Sequence, residues 1–220
     1  MFLNTQLVKA LIFDMDGLLV DSEPCWHKAE KSIFGSIGIK LNTAMCIETT
    51  GKPVADVILH WYEKKPWKNP DFDKLETDLF REATAIIKKE AQLMPGVLIA
   101  LEWAKSCGFK IGLASASPIS LIKMALEKFT IQNRFDFYHS AEREEFNKPH
   151  PAVYLTVAKN LGIPIENCLI LEDSGNGIKG ALASGAQVIA IPANEEFNKE
   201  KFDSVHHKLS SLVELPNLFN

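Results

Sequence analysis

The sequence predicts an α/β fold: a doubly wound parallel sheet interrupted by an all-helical insertion. Three observations lead there. Short apolar runs rich in Ile, Leu and Val recur along the chain, the pattern of strands buried on both faces of a parallel sheet. Helical stretches separate them, as in consecutive βαβ units. The first connection is far longer than the rest, roughly 90 residues where a simple βαβ unit takes ~30.

The first strand is expected at 8–13 (VKALIF). Helical patterns then cover 23–34, 54–62 and 72–92, and Met94-Pro95-Gly96 marks the return from the insertion. A second strand is expected at 110–114 (KIGLA), and a helix at 120–129 with Leu121, Ala125 and Leu126 on one face. A weaker strand follows at 135–139. The helix at 152–161 turns Val153, Val157, Ala158 and Leu161 to one side, and Gly162 stands where a helix stop belongs. The fourth strand is 168–171 (CLIL), and a small-residue helix at 178–183 ends at Ser184 and Gly185. The fifth strand is 187–191 (QVIAI). The expected division is a core of 1–17 with 93–220 and an inserted helical module of 18–92.

Composition narrows the function classes. The 220 residues are 46 % hydrophobic and 24 % charged, enough to bury a core in an ordinary soluble protein. The net charge is −4, with no basic run. This argues against a nucleic-acid surface, which needs clustered Lys and Arg. Cys25, Cys46, Cys107 and Cys168 are widely spaced, so buried reduced thiols are expected rather than a zinc site or disulfides. Residues 1–9 lack a signal-type pattern, and no apolar stretch reaches the ~20 residues of a membrane span. A cytoplasmic monomer without nucleic-acid or membrane partners is expected.

Chemistry concentrates at strand ends. Asp14 and Asp16, in FDMDG, follow the first strand and start out on the same face. Two carboxylates so placed need a cation or a proton between them; an Asp-Gly turn is the plainer alternative. Ser115, in ASAS, follows the second strand and suits a phosphate beside the N–H groups of the next helix, or else an N-cap. Lys148, in NKPHP, suits developing negative charge, or else plain solvent. Glu172 and Asp173 follow the fourth strand, as site acids or as a helix cap. All four lie at the carboxyl ends of expected strands or just beyond, where open α/β sheets bind ligands. Four carboxylates against one lysine call for a hard, oxygen-bound cation such as Mg²⁺. No Cys or His cluster competes for a softer metal.

The order D-x-D-G, strand-end Ser, K-P, E-D resembles the haloacid dehalogenase superfamily and its Rossmann-like core. Residues 14–23 (DMDGLLVDSE), with LASAS and NKPHP, resemble its sugar-phosphate phosphatase and β-phosphoglucomutase branch. Within it, DSEPCW at 21–26 and SASP at 115–118 are most like the bacterial hexitol and 2-deoxyglucose-6-phosphate phosphatases. The resemblance covers nearly the whole chain and is weakest over 43–90. It implies Asp14 as nucleophile and Asp16 as general acid and base. It implies Ser115, the Ala116 N–H and Lys148 as phosphate ligands. Mg²⁺ would sit on Asp14, the Asp16 carbonyl and Asp173, with Glu172 beside it or acting through water. The module of 18–92 would be a cap that closes over the substrate.

Where mutases of this branch carry a His, Trp26 stands here, and an indole relays no proton between phosphate and sugar. Trp26 is accordingly placed at the substrate side, and hydrolysis is expected. Relatives often carry an Arg-containing turn where this chain has TGKP at 50–53; Lys52 there is a solvated loop residue or a substrate contact. The expected activity is Mg²⁺-dependent hydrolysis of hexose-6-phosphates, 2-deoxyglucose-6-phosphate or hexitol phosphates. The alternatives are a β-phosphoglucomutase, a phosphatase of another small metabolite such as phosphoglycolate, and a catalytically silent binding module. No G-x-G-x-x-G follows the first strand, against a dinucleotide enzyme.

Overall fold

Ala10–Phe13 (β1) is buried at every position, so each residue is apolar whichever face it meets. The computed structural model describes residues 3–219; the outermost ends of the expected core, residues 1, 2 and 220, lie outside them. Around β1 stand Lys110–Ser115 (β2), Phe137–Ser140 (β3), Cys168–Glu172 (β4), Gln187–Ala190 (β5) and His207–Lys208 (β6). They form one parallel sheet in the order β3-β2-β1-β4-β5-β6. β6, two residues long, was not expected; so short an edge strand carries no periodicity to read.

The strand order reverses between β1 and β4. That is the topological switch point of a doubly wound sheet, the place where such folds open a ligand crevice. Phe13 pairs with both Leu113 and Leu171, so the carboxyl ends of β1, β2 and β4 lie side by side.

Helices cover the sheet. Ala152–Leu161 (α7) packs across β1, β2 and β3 and ends at Gly162 in the left-handed region, as expected. Gly175–Ala183 (α8) follows β4, and Ile119–Lys128 (α6) follows β2. One face of the sheet, with Ala10, Ile12, Ile170 and Val188, shares a core with Val153, Val157 and Ile178. Val97–Ser106 (α5) was not expected as a helix. Its start, VLIALEWA, is almost continuously apolar and has no polar stripe to betray the period.

The chain divides into two compact units, one running to Asp21 and resuming at Leu93, the other Ser22–Gln92. Residues 18–21, expected in the module, belong to the first unit; the Val20 N–H donates to the Met15 carbonyl at 2.9 Å, tying the segment back to the strand end. The second unit is helical: Glu23–Ser36 (α1), Thr43–Thr49 (α2), Val54–Lys64 (α3) and Phe72–Glu90 (α4). In α4, Leu75, Leu79, Ala83 and Ile87 form a buried stripe. Trp26 of α1 meets Phe80 of α4 edge to face. The short α2, capped by the Asn42 side chain on the Met45 N–H, was not expected. Lys52 is exposed in the loop before α3. None of the four cysteines is in a disulfide, but Cys107, expected buried, is exposed just past the end of α5. Among the described residues no helix is long and apolar enough to cross a membrane.

Candidate active site

β1 delivers Asp14 while its backbone still belongs to the sheet: the Asp14 N–H donates to the Leu171 carbonyl at 3.0 Å. The chain then turns sharply, with the Gly17 N–H on the Val20 carbonyl at 2.8 Å. Gly17 has φ 78°, and a Cβ there would lie 2.1 Å from Asp173 Oδ2. Only glycine allows both the turn and that approach. The Asp-Gly turn and the acidic cluster are thus one structure, not alternatives.

Lys148 is 7 % exposed, which removes the solvated-lysine alternative. Its Nζ donates to Asp14 Oδ1 at 2.5 Å, to Glu172 Oε1 at 2.7 Å and to the Ala114 carbonyl at 3.0 Å. The Asn147 side chain steadies the loop by accepting from the Lys148 N–H at 2.7 Å. Glu172, the last residue of β4, is fully buried. Its Oε2 accepts from Ser174 N at 3.3 Å and Ser174 Oγ at 3.1 Å. The cap of α8 is Ser174, whose Oγ accepts from the Gly177 N–H at 3.0 Å, so the acidic pair is not the helix cap.

On the β2 side, Ser115 ends the strand and α6 begins only after Pro118, so Ser115 is not an N-cap. Its Oγ accepts from the Ser117 N–H at 3.0 Å and lies 3.4 Å from Asp16 Oδ2. Ser117 Oγ donates to that same Asp16 oxygen at 2.7 Å. Ser140 Oγ in turn donates to the Ser117 carbonyl at 2.6 Å, anchoring the loop to β3. Ala116, between the two serines, is exposed. Asp14, Asp16, Ser115, Lys148, Glu172 and Asp173 therefore form one connected neighbourhood. Trp26 belongs to the helical unit, half-buried against Phe80.

The charge is unbalanced. Carboxylate oxygens of Asp14, Glu172 and Asp173 lie within 4.8 Å of one another, against one ammonium. Burial pushes the Asp14 carboxyl up to about 8; Lys148 opposes this, and Glu172 and Asp16 add to it. Burial, then Asp14 and Glu172, drive Asp173 well above the usual carboxylate range. Desolvation would lower Lys148, but Asp14 and Glu172 overcome it and hold the ammonium charged. Asp173 Oδ1 is buried and has no hydrogen-bond partner, a costly state in water-free surroundings. An all-oxygen donor set with surplus negative charge and an unpartnered carboxylate oxygen fits a hard divalent cation such as Mg²⁺.

Two participants escaped the sequence. Ser117 repeats the Ser two positions earlier, and that S-x-S spacing was the signal available. Tyr154 reads as one more core aromatic on α7, yet its hydroxyl lies 2.6 Å from Glu172 Oε1.

The chain is similar to known hydrolases in sequence and in fold. The profile of haloacid dehalogenase-like hydrolases matches residues 11–191. Hexitol phosphatase B of Escherichia coli O157:H7 is 38 % identical over 209 residues, 94 % of each chain. The crystal structure of CbbY from Rhodobacter sphaeroides in complex with phosphate superposes with a TM-score of 0.83 at 22 % identity, covering 94 % of this chain and 96 % of that one. β-Phosphoglucomutase from Clostridium difficile superposes at 0.80 with 24 % identity, covering 94 % and 93 %. The two structural likenesses establish the fold alone.

Proposed function

Because the chain belongs to the haloacid dehalogenase-like hydrolase family and is a phosphatase of it, we propose that it hydrolyses small sugar phosphates with Mg²⁺, hexitol phosphates and hexose-6-phosphates first among them, 2-deoxyglucose-6-phosphate included. The reading is carried by one observation: a buried lysine joins Asp14 to Glu172 beside an unpartnered Asp173 oxygen at the sheet's switch point. The choice of sugar phosphate is supported by the likeness to hexitol phosphatase B.

In this mechanism an Asp14 carboxylate oxygen attacks phosphorus, and the bond from phosphorus to the ester oxygen breaks. Asp16 gives its proton to the departing alkoxide. Ser117 holds the Asp16 carboxylate in place through the 2.7 Å hydrogen bond. In the second half Asp16 takes a proton from water, the water oxygen attacks the aspartyl-phosphate, and the bond to Asp14 breaks. Lys148, the Ser115 hydroxyl and the Ala116 N–H receive the phosphoryl oxygens, so charge forms where donors already stand. Asp14, the Asp16 carbonyl and Asp173 would hold Mg²⁺. When bound, the ion neutralises the surplus negative charge of the cleft and of the phosphoryl group.

The helical unit, as a cap domain, would select the leaving group. Trp26 favours hydrolysis over phosphoryl return to the sugar, since indole is no acid or base at neutral pH. The test is phosphate release from a panel of hexitol and hexose phosphates with Mg²⁺. Asp14→Asn should lower kcat on the order of 10⁴-fold or more, and chelation should abolish turnover. Equal rates for Asp14→Asn and wild type would overturn the mechanism. Conversion of β-glucose-1-phosphate to glucose-6-phosphate without net phosphate release would replace it with a mutase.

A further inference from the structure

We propose that Tyr154 is a positioning residue of this site: its hydroxyl fixes Glu172, and Glu172 in turn aims Lys148 at Asp14. The inference rests on the phosphatase reading above and deepens it. Tyr154 lies in the first turn of α7 and is fully buried. Core packing alone would be served by phenylalanine, which fills almost the same volume. The hydroxyl is therefore the feature to explain, since a buried O–H needs a partner.

That partner is the charged pair itself. Tyr154 Oη lies 2.6 Å from Glu172 Oε1 and 3.1 Å from the Gly177 carbonyl. The face of the same ring lies under the Lys148 ammonium, 4.9 Å from its centroid. One side chain thus touches both members of a buried ion pair.

Counting donors against lone pairs gives Glu172 its role. A carboxylate offers about four lone-pair sites. Oε1 faces the Tyr154 hydroxyl and Lys148 Nζ. Oε2 faces the Ser174 N–H and hydroxyl. Protein donors take up all of these sites, and α8 closes the remaining side: a Cβ on Gly177 would lie 2.1 Å from the Glu172 carboxylate. Asp173 is the contrast, with one buried oxygen that no donor reaches. Glu172 therefore acts as a fixed base for Lys148 rather than as a direct ion ligand. Lys148 spends its other N–H groups on the Ala114 carbonyl and on Asp14. Two of its three directions are set by the scaffold, and the third points at the nucleophile. Without the Tyr154 hydroxyl, Oε1 loses one of its two anchors, and the Lys148 direction loosens where the phosphoryl charge develops.

The experiment compares wild type, Tyr154→Phe, Glu172→Gln and the double variant, with p-nitrophenyl phosphate as substrate. Tyr154→Phe keeps the ring and deletes only the hydroxyl. It should lower kcat about tenfold, the worth of one hydrogen bond to a charged group. Mg²⁺ affinity, read by calorimetric titration of the protein with the ion alone, should stay within about twofold, because the Asp14 and Asp173 ligands are untouched. In the Glu172→Gln background the same change should have no further effect, since the hydroxyl works through Glu172. Where Glu172→Gln does not fold, the coupling is read in a Lys148→Arg background. Unchanged turnover in Tyr154→Phe overturns the inference, as do effects that multiply in the double variant. Loss of Mg²⁺ affinity in step with kcat overturns it too, by returning Glu172 to the ion. A wild type inactive on every phosphate ester sinks the phosphatase reading instead.

Discussion

Each of the two units buries a carboxyl group, and each meets the cost differently. In the core unit Glu172 is fully buried and receives donors from Tyr154, Lys148 and Ser174. In the helical unit Glu30 of α1 is 7 % exposed, and its Oε2 has no hydrogen-bond partner. Burial pushes the Glu30 carboxyl up to about 7, with the Cys46 thiol opposing as a donor and Glu23 adding to the rise. Cys46 itself is pushed up to about 12 by burial and then by Glu30. At Glu172 the core supplies a cation and hydrogen bonds, while the helical unit takes up a proton at Glu30. Burial alone does not mark a site carboxylate; in the core a lysine bonded to both Asp14 and Glu172 does.

Removing the cation attacks the first half of that contrast and should have the largest effect. Lys148→Met leaves Asp14 and Glu172 buried without their positive partner, which should cost about 3–5 kcal/mol in a denaturant titration. Turnover should fall on the order of 10²–10³-fold, as for loss of one preorganised donor. A Lys148→Met protein as stable as wild type would erase the distinction between the units.

The second half is tested by pH. Glu30 titrates near 4.5 when unfolded and near 7 when folded, so the folded state holds the extra proton between those values. The Glu30 contribution to stability should therefore fall as pH rises from 4.5 to about 7 and then level off. Glu30→Gln removes that dependence. Its advantage over wild type should be absent at pH 4.5 and reach about 3 kcal/mol above pH 7. Melting curves at pH 4.5 and 8 measure it, and a gap of equal size at both would refute the protonated-carboxyl account.

The smallest difference lies in two helix caps. Asn42 caps α2 through the Met45 N–H alone. Ser174 caps α8 and also donates to Glu172. Asn42→Ala should cost about 1 kcal/mol, and Ser174→Ala about 2–3 kcal/mol, because a bond to a charged group is lost as well. Equal costs would mean that the second bond adds nothing to the core site.

Much of this was legible beforehand, where neighbours along the chain carried the signal. α7 was expected at its observed bounds and stop, because Val153, Val157, Leu161 and Gly162 mark both its period and its end. The strands β1, β2, β4 and β5 were visible as short apolar runs. α5 was not, since a segment nearly apolar all round shows no period, and β6 is too short to have one. Asp14, Asp16, Ser115, Lys148, Glu172 and Asp173 were singled out because each follows or ends an expected strand or opens a helix. Tyr154 was invisible for the opposite reason: its spacing belongs to the core face of a helix, and its partner Glu172 lies eighteen residues away.

The sequence alone determined the strand–helix alternation, the insertion after β1, and acids enough at the strand ends to require a cation. These follow from periodicity and composition, which are local. Only the tertiary structure decided which groups share a proton or a hydrogen bond. It put Lys148 between Asp14 and Glu172, placed the Tyr154 hydroxyl on that pair, and left Asp173 an oxygen without a donor. Those are distances of a few ångströms between residues far apart in the chain, and they exist only once the sheet brings the ends of β1, β2 and β4 together.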